Sequence, residues 1–419
     1  MAVSAHHTLS GAEAPLPLPL PREQECPFRP APEVARFRTD LPVARVVGPT
    51  GIEAWLVTRY ADVRDVLGDP ERFSNRSGQA AHILADMPPD APVTEGAFSR
   101  MDGADHLRFR RILGPELSMV KRIERLRPTV QRIVDERLDA LGESAPPVDL
   151  YQQFAVPLTS TVIAELLGVP ATDHTLFQRA GAALFTATAD PEEKAAAFDA
   201  LFDYLYTLVP RRRREPGGDI LSNLIERGDR GDQPFTDTEL VMTAAGLLVA
   251  GFDTTASMIS YGVLALLHHP DQLTALRNDP GLVPGAVEEL VRFLGVGVGI
   301  MREVARDTEI GGQPVAAGEF VIAAIQSANH DPEQFPEADR LDVTREAGRH
   351  IGFGHGPHQC AGQQLARLEL KTVLETLLRR IPSLRLAVPF EQIEFKTDTV
   401  VTGPAALPVA WDEVLPAAH

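Results

Sequence analysis

A cysteine in a glycine-rich loop carries the clearest chemical signal in the sequence. The run from Phe353 to Gly362 reads Phe-Gly-His-Gly-Pro-His-Gln-Cys-Ala-Gly, and strong helix formers follow it. Gly354 and Gly356 permit a tight backbone whose N–H groups can point at one acceptor. A helix N-terminus stabilises a thiolate through its dipole and its free N–H groups. The pattern therefore predicts that Cys360 is a thiolate, the form in which cysteine binds a metal.

Six positions of this run, Phe-Gly-x-Gly-x-His-x-Cys-x-Gly, match the haem-binding signature of the cytochrome P-450 superfamily. The sequence resembles the soluble bacterial branch of that family from about residue 26 to residue 414. A lone cysteine is more often a small buried hydrophobic residue, but the intact run disfavours that interpretation here. The resemblance implies that Cys360 is the axial ligand of the iron of haem b and that Phe353, His358 and Gly362 help to bind the haem. Electron donation from the thiolate would then favour cleavage of the O–O bond.

A group of poor helix formers interrupts an otherwise apolar helical segment. The pattern Thr236-x-x-Glu239 is a capping box that predicts the start of a helix, which continues to about His268. In its middle lies Ala-Gly-Phe-Asp-Thr-Thr, residues 250–255, where local helix propensity is poor. The Thr254 hydroxyl can donate to the carbonyl four residues earlier and open a groove. On residue types alone, a polar kink without chemistry is an equally good interpretation.

The family resemblance assigns roles within this group. It implies that the haem lies against the groove at Ala250 and Gly251. It also implies that Asp253 and Thr254 are an acid–alcohol pair that relays protons during oxygen activation.

Further charged residues match family positions that contact the edge of the haem or support the fold. His106 and Arg110 share a helix face at i, i+4, and the resemblance implies that they bind the haem propionates, together with Arg302 and His358. Glu289 and Arg292 are three residues apart, a spacing that by itself usually marks a surface ion pair. The resemblance implies instead that this pair is buried and tied to Arg340, with a role in folding and haem incorporation rather than catalysis.

The resemblance also places a substrate pocket. Between Arg292 and Arg302 the residues are almost wholly apolar, with interleaved glycines and no Lys or Arg. Such walls suit a bulky hydrophobic substrate that is recognised by shape. The predicted pocket residues are Leu247, Ala250, Leu294, Val298, Val400 and Val401.

Composition limits the class of protein. The 419 residues include 40 basic and 58 acidic side chains, a net charge of −18, which disfavours nucleic-acid binding and favours a soluble monomer. Two cysteines cannot build an all-cysteine zinc or iron–sulfur site. No signal peptide is recognisable and no run of about 18 apolar residues occurs, so we expect a cytoplasmic protein that is not inserted in a membrane.

The chain is predicted to be mainly α, with the cytochrome P-450 fold: a large helical domain around the haem and a small β-rich region. Residues 1–25 are predicted to form a disordered, proline-rich arm, and residues 26–419 a single domain. Helices are predicted over residues 123–141, 159–167, 194–208, 239–268, 284–293 and 361–380. A β-hairpin is predicted around Gly311-Gly312, and a strand over residues 400–409.

The predicted function is a monooxygenase that hydroxylates or epoxidises a hydrophobic small molecule, of the kind made in secondary metabolism, with dioxygen. The resemblance implies that electrons come from a ferredoxin and its reductase, since the chain contains no flavin or iron–sulfur segment. A ferredoxin is acidic, so a local basic patch is expected among Arg108, Arg111, Lys121, Arg122, Arg367 and Lys371. The arginine run 211–214 more simply suits a helix C-terminus.

Two alternatives remain. The first is a haem-thiolate protein of the same fold with other chemistry, such as phenol coupling or peroxide use; such members often lack the threonine or the acid before it, and Asp253 and Thr254 are both present. The second is a non-catalytic haem-binding sensor or carrier. That would predict a disrupted 250–255 segment or lost propionate partners.

Overall fold

The computed structural model describes residues 15–18, 20, 26–76, 80, 83, 95–177, 190–230, 233–297, 299–396 and 401–417. The main helices are α1 (Pro32–Asp40), α2 (Tyr60–Gly68), α3 (Gly103–Leu117), α4 (Val120–Ile123), α5 (Arg127–Gly142), α6 (Val156–Leu166), α7 (Pro191–Arg214), α8 (Ile220–Asp229), α9 (Asp237–His268), α10 (Pro270–Asn278), α11 (Val283–Leu294), α12 (Ile325–Asn329) and α13 (Gln363–Arg380). The strands are β1 (Leu16–Pro17), β2 (Val43–Val47), β3 (Glu53–Val57), β4 (Phe73–Ser74), β5 (Val148–Asp149), β6 (Ile300–Val304), β7 (Thr308–Ile310), β8 (Gln313–Val315), β9 (Phe320–Ala323), β10 (Arg385–Leu386) and β11 (Pro408–Ala410). The prediction of a mainly helical chain with a minor β region is confirmed.

Helix α9 is the central helix of the molecule. Both hydrogen bonds of the predicted capping box are present: the Glu239 N–H donates to Thr236 Oγ1 at 3.1 Å, and the Thr236 N–H donates to Glu239 Oε2 at 3.0 Å. The helix ends at His268, two residues before Pro270, which cannot continue it. It packs against α6, α7 and α13. It is long and apolar enough to cross a bilayer, but most of its apolar stretch is buried inside the protein, as expected of a core helix.

The β-rich region is dominated by a six-stranded sheet in the order β1-β2-β3-β9-β6-β4. Its strand β6 pairs antiparallel with β9, so that Arg302 lies opposite Val321. The predicted hairpin is confirmed: β7 and β8 pair across Gly311 and Gly312, whose φ angles of 54° and 87° are in the left-handed region that glycine tolerates. The sheet therefore carries one predicted haem-edge residue, Arg302, on β6.

The prediction of disorder throughout residues 1–25 is wrong at Leu16–Pro17. These two residues form β1, parallel to Val46–Val47, and the Leu18 N–H donates to the Val47 carbonyl at 2.8 Å. Proline lacks an N–H and is tolerated on an edge strand, while Leu16, Leu18 and Leu20 pack on a buried apolar cluster. The alternation of leucine and proline is thus compatible with an edge strand, in which the leucines pack inward and the prolines need no hydrogen-bond donor. Most of the remaining arm lies outside the described residues.

Two element boundaries also differ from the predictions. The helix predicted from residue 123 begins at Arg127, where Pro128 occupies one of its first positions. The strand predicted over residues 400–409 is reduced to isolated bridges at Val401 and Pro404 and the strand Pro408–Ala410. Gly403 and Pro404 interrupt the range, since neither residue favours a continuous strand.

Candidate active site

The cysteine loop places the Cys360 side chain in a cleft. Cys360 is exposed, yet protein atoms surround it closely enough that burial raises the pKa of its thiol. The backbone N–H groups of Gly362 and Gln363 and the guanidinium of Arg110 act in the opposite direction and favour the thiolate. The Cys360 N–H donates to the Phe353 carbonyl at 2.8 Å, which closes the loop two residues before the N-cap Gly362 of α13.

Two glycines make this loop possible. Gly354 and Gly356 have φ angles of 76° and 73°. A Cβ atom at Gly356 would also lie 2.5 Å from the Leu67 carbonyl oxygen, a distance at which the backbone would have to move. The glycine at this position is therefore required both by its conformation and by the close approach of α2.

The predicted haem-edge histidines lie together. The rings of His106 and His358 stack with their centroids 3.9 Å apart, and His358 Nε2 lies 2.9 Å from Asp102 Oδ1. Burial, and then the neighbouring His358, lower the pKa of His106 to about 4, so its ring is neutral near pH 7. Burial opposes ionisation of Asp102, but hydrogen bonds from His358, Ser74 and the Asn75 N–H lower its pKa to about 2.

Two arginines, of which Arg302 is buried and Arg110 is half-buried, lie in the same region without an acidic partner among the described residues. Arg302 is 3% exposed and donates to the Met301 carbonyl at 2.8 Å. Burial lowers its pKa to about 10, although Asp102 acts in the opposite direction. Burial also lowers the pKa of Arg110, while Cys360 raises it. Among the described residues, no carboxylate forms an ion pair with Arg110 or Arg302, so two cations remain available to an anionic ligand.

The central helix presents one accessible stripe. Gly246 and Ala250 are exposed and Leu247 and Thr254 are half-buried, whereas most of the helix is buried. Residues spaced by three or four share a helix face, so these four line a single opening. The predicted hydrogen bond is present: Thr254 Oγ1 donates to the Ala250 carbonyl at 2.7 Å. A Cβ atom on Gly251 would lie 3.5 Å from Ile163, an ordinary contact, and so the protein atoms alone do not require glycine there.

The predicted acid, Asp253, is turned into the protein. It is 3% exposed, and its Oδ1 accepts hydrogen bonds from Lys396 Nζ at 2.8 Å, from Ser257 Oγ at 3.2 Å and from the Tyr151 hydroxyl. Burial, and then Asp253, raise the pKa of Tyr151, which therefore stays a neutral hydroxyl donor. The structure thus places Asp253 and Thr254 on adjacent faces of the helix, with Thr254 on the accessible stripe.

The predicted structural ion pair is fully buried. Arg292 donates to both Glu289 oxygens, Nε to Oε2 at 2.6 Å and Nη2 to Oε1 at 2.8 Å, and neither side chain is exposed. The assignment of Arg340 as the third member is wrong. The side chain of Arg340 is exposed and pairs with Glu337 and Asp342, and only its carbonyl accepts from Arg292, at 3.3 Å. Arg345 takes the predicted place, with its Nε 3.1 Å from Glu289 Oε1, because the intervening turn carries residue 345 back over α11.

The predicted pocket residues divide into three groups. Leu247, Ala250 and Val401 are at least partly accessible. Leu294 is fully buried and its prediction as an accessible pocket wall is wrong, because the last turn of α11 faces the apolar core. Val298 and Val400 lie outside the described residues.

Several functional residues were missed by the sequence analysis. Asp102, Tyr151, Arg345 and Lys396 have no motif of their own, and each acts through a contact between residues far apart in the chain. Only Asp102 has a local signal, since it directly precedes α3 at an N-cap position. Its carboxylate does not cap the helix but contacts Ser74, Asn75 and His358 instead.

These residues fit a thiolate-ligated haem. Cys360 provides an accessible sulfur ligand beside N–H donors. Arg110 and Arg302 are cations without an acidic partner among the described residues, as two propionates would require, and the accessible stripe of the central helix is an apolar face with one hydroxyl group. The donor set therefore suits an anionic, planar cofactor bound through iron.

Comparisons with known proteins agree with this chemistry. The cytochrome P450 family model matches residues 172–405. Cytochrome P450-SU2 of Streptomyces griseolus is 45% identical over 391 residues, which cover 93% of this chain and 96% of that protein. The mycinamicin IV hydroxylase/epoxidase of Micromonospora griseorubida is 42% identical over 374 residues, 88% of this chain and 92% of that protein. The crystal structure of CYP105P1 in complex with filipin I superposes with a TM-score of 0.86 at 42% identity, covering 96% of this chain and 100% of that one.

The family match covers more than half of the chain, and both relatives align over almost their whole length. The geometry of Cys360 and of the central helix agrees with the chemistry of that family. The chain therefore belongs to the cytochrome P450 family, and it is a haem-thiolate monooxygenase.

Proposed function

We propose that this enzyme hydroxylates or epoxidises a hydrophobic small molecule of the secondary-metabolite type. The observation that carries the proposal is the accessible stripe of the central helix, where Gly246, Leu247 and Ala250 share a face with the Thr254 hydroxyl and add no charged side chain. An apolar wall with one polar group suits an apolar ligand held by shape. The relatives support the substrate class, since one is named for mycinamicin IV and another structure holds filipin I.

The cofactor in this proposal is haem b. Cys360 would bind its iron, Arg110 and Arg302 would bind its propionates, and His106 and His358 would lie beside these arginines. Ala250, Gly251, Phe353 and Gly362 would contact its faces. When bound, a thiolate-ligated haem supplies the reduction of dioxygen and the cleavage of its O–O bond.

The protein's own part in this proposal is to deliver protons. Thr254 is the accessible hydroxyl of the stripe, held in place by its bond to the Ala250 carbonyl. Asp253 is the nearest carboxylate in sequence and is held in a buried polar cluster. In this proposal Thr254 orients a proton donor in the groove, and Asp253 resupplies the proton from the protein side.

Electrons would come from an acidic ferredoxin and its reductase. Of the six basic residues predicted for its docking patch, three are engaged within the protein: Arg108 with Glu239, Arg122 with Glu116, and Arg367 with Glu288. Arg111 and Lys121 are exposed, and exposed Leu107, Met119 and Val120 lie close to them in sequence. A patch that combines cations with apolar side chains suits a transient, electrostatically steered complex. We place the enzyme in the cytoplasm as a monomer.

Two arginines of the run 211–214 are engaged within the protein, which disfavours the run as a partner site. Arg212 pairs with Asp219, and Arg213 pairs with Asp229 and Asp237. All four arginines lie in the last turn of α7, where cations are favoured by the helix dipole.

The test combines binding with turnover. Hydrophobic natural products are titrated into the haem protein, and displacement of the iron-bound water is followed in the absorption spectrum. Those that bind are then incubated with NADPH, a surrogate ferredoxin and its reductase. The proposal predicts an oxygenated product, and it fails if ligands bind but none is oxygenated, which is the behaviour of a carrier.

Thr254→Ala provides the internal check, with Thr255→Ala as its matched control because Thr255 is the buried neighbour on the same helix. Product formed per NADPH should fall about tenfold in Thr254→Ala, less than the full contribution of a positioned proton donor, since water can partly replace the hydroxyl. Thr255→Ala should keep the wild-type ratio.

A further inference from the structure

A polar surface cleft borders the cysteine loop. Its volume is about 410 Å³, and its lining comes from α2, from the irregular stretch before the loop and from the loop itself, which contributes Gly354, His355 and Gln359. Gln359 directly precedes Cys360 in the chain. None of the described lining residues belongs to α9, so this cleft is distinct from the accessible stripe of the central helix.

The full charges that line the cleft are positive. Arg64 and Arg349 line it and are exposed, and no aspartate or glutamate is among its described lining residues. In the described part of the chain, Arg64 contacts Tyr60 and His355 and no carboxylate pairs with either guanidinium. The whole sequence has 58 acidic and 40 basic residues, so a cleft with cations alone departs from the general charge of the protein.

Tyr60 forms the floor that holds both arginines. Its ring lies under the Arg64 guanidinium, 5.6 Å from centroid to Cζ, and its hydroxyl donates to the Arg349 carbonyl at 2.6 Å. Tyr60 is 8% exposed, and its backbone N–H donates to Asp331 Oδ2 at 2.9 Å. The two cations therefore belong to segments that one buried residue joins, although they are 285 positions apart in the chain.

The nearest carboxylates lie behind the lining residues. Asp331 accepts from the Tyr60 N–H, and Glu288 Oε2 lies 3.0 Å from His350 Nε2, but neither acid lines the cleft. The pKa of His355 reflects the same charge distribution. Burial, and then Arg64, lower it, and no carboxylate acts in the opposite direction. The electrostatic environment of the cleft therefore favours an anion.

Neutral hydrogen-bonding groups complete the lining. Gln334 and Gln359 both line the cleft, and neither amide side chain has a hydrogen-bond partner among the described residues. His355 Nε2 lies 3.5 Å from Arg64 Nη2. Amide and imidazole N–H groups can donate to an oxyanion, and an arginine presents a planar fork of donors that suits phosphate and carboxylate oxygens.

We propose that this cleft binds a phosphate group, either as the free ion or as part of a phosphate monoester, through Arg64 and Arg349. A phosphate group carries about −1.5 to −2 charges at pH 7, which matches two guanidinium groups that lack another anion. The amides of Gln334 and Gln359 supply further donors. The inference does not depend on the proposed substrate or on turnover, because it concerns a separate site.

The first test measures binding to the haem protein. Inorganic phosphate is titrated in a calorimeter at constant ionic strength, with chloride as the compensating anion, and saturable binding is expected. Arg64→Gln and Arg349→Gln should each weaken the affinity at least about tenfold, because each removes a charged hydrogen-bond donor. Arg36→Gln is the matched control and should keep the wild-type affinity, since Arg36 is also an exposed arginine over an aromatic ring, 5.7 Å from that of Phe37.

The second test locates the bound ion. Phenylglyoxal modifies accessible arginines, and mass spectrometry of the digested protein gives the rate at each position. Phosphate should slow the modification of Arg64 and Arg349 and leave that of Arg36 unchanged. Glycerol phosphate distinguishes the two sources of the group: tighter binding than inorganic phosphate assigns the site to a phosphorylated metabolite, and weaker binding assigns it to the free ion.

The proposal is overturned if no saturable binding occurs at constant ionic strength, if Arg349→Gln keeps the wild-type affinity, or if phosphate protects Arg36 as well as the other two arginines. Absence of phosphate binding together with weaker ferredoxin binding by Arg349→Gln would assign the cleft to a protein partner instead. Neither test uses a substrate or NADPH, so an enzyme that oxygenates nothing would contradict the proposed function and leave this result unchanged.

Discussion

Two of the buried ion pairs are built in different ways. In the first, Glu289 and Arg292 are completely buried; Arg345 adds a second guanidinium, and Arg292 also donates to the carbonyls of Asn329 and Ala338. In the second, Asp253 and Lys396 are joined by two hydroxyl groups, those of Tyr151 and Ser257. The first pair is tied to the main chain, and the second consists of side chains only.

Because main-chain groups anchor only the first pair, we expect the second pair to rearrange more readily. Backbone carbonyls cannot turn away without moving the segment that carries them, so the Glu289 cluster fixes the irregular stretch before the cysteine loop. Side-chain hydroxyls rotate at small cost and can accompany a carboxylate that changes partner. Two charged residues at a given spacing in the sequence can therefore have either role. The other hydrogen bonds of the pair decide which role it has.

The largest expected effect is loss of the first pair. Glu289→Gln leaves the buried guanidinium of Arg292 and the neighbouring Arg345 without an anion, so the free energy of unfolding should fall by about 3–5 kcal/mol. Denaturant unfolding measures this, and haem retention should fall with it. Asp412→Asn, which removes the exposed partner of Arg385, should change stability by less than about 1 kcal/mol. Equal effects of both variants would show that burial does not govern these pairs.

The corresponding substitution in the second pair, Asp253→Asn, should lower activity strongly and stability only slightly. Asp253→Asn leaves Lys396 with two hydroxyl acceptors and an amide oxygen, so it should cost only about 1–2 kcal/mol. Product per NADPH should fall by roughly 10²-fold, because the proton donor is lost. If Asp253→Asn unfolds the protein as severely as Glu289→Gln, the distinction between the two pairs is wrong.

The haem edge should show an intermediate effect. Arg302→Gln removes a buried cation that has no acidic partner among the described residues, so haem should dissociate faster, measured by transfer to apomyoglobin. Arg111→Gln is the control, since Arg111 is an exposed arginine on the neighbouring α3. Wild-type haem retention in Arg302→Gln would remove Arg302 from the set of propionate ligands.

The smallest expected effect on stability is that of replacing Glu369, whose carboxyl group belongs to neither ion pair. It is buried, its Oε2 lacks a hydrogen-bond partner among the described residues, and burial raises its pKa well above the usual range. A raised folded-state pKa means that its contribution to stability is present below the unfolded-state value, about 4.3, and is lost as the pH rises above it. Glu369→Gln should therefore stabilise the protein by about 1 kcal/mol at neutral pH.

The pH dependence provides the control for that prediction. The gain in the free energy of unfolding should shrink as the pH is lowered toward 4, where wild-type Glu369 is protonated in both states. A gain that is independent of pH would instead point to packing of the amide.

The sequence predicted those parts of the site that are contiguous in the chain. The cysteine loop, the capping box of the central helix and the bond from Thr254 to the Ala250 carbonyl follow from residue type and short spacing, and the structure confirms their geometry. The haem-edge set was placed only through the family resemblance. It stays a prediction, although His106 and His358 do stack.

The residues and elements that the sequence did not predict depend on contacts between parts of the chain that are far apart in sequence. Arg340 and Arg345 are five residues apart in an irregular stretch, and no periodicity says which of the two side chains turns inward. Lys396 is separated from Asp253 by 143 positions, and its ammonium group reaches the central helix only because Gly403 brings the C-terminal segment close. The short strand β1 was missed because its partner, β2, lies about 30 residues further along the chain.

The measurement that tests the central claim most directly is the absorption spectrum of the reduced, carbon monoxide-bound protein. The account predicts the red-shifted band of a thiolate-ligated haem in the wild type. Cys360→Ser should lose that band, and Cys26→Ser, which changes the other cysteine, should keep it. A wild-type protein without the band, or a Cys360→Ser variant that retains it, would contradict the assignment of Cys360 as the ligand of the haem iron.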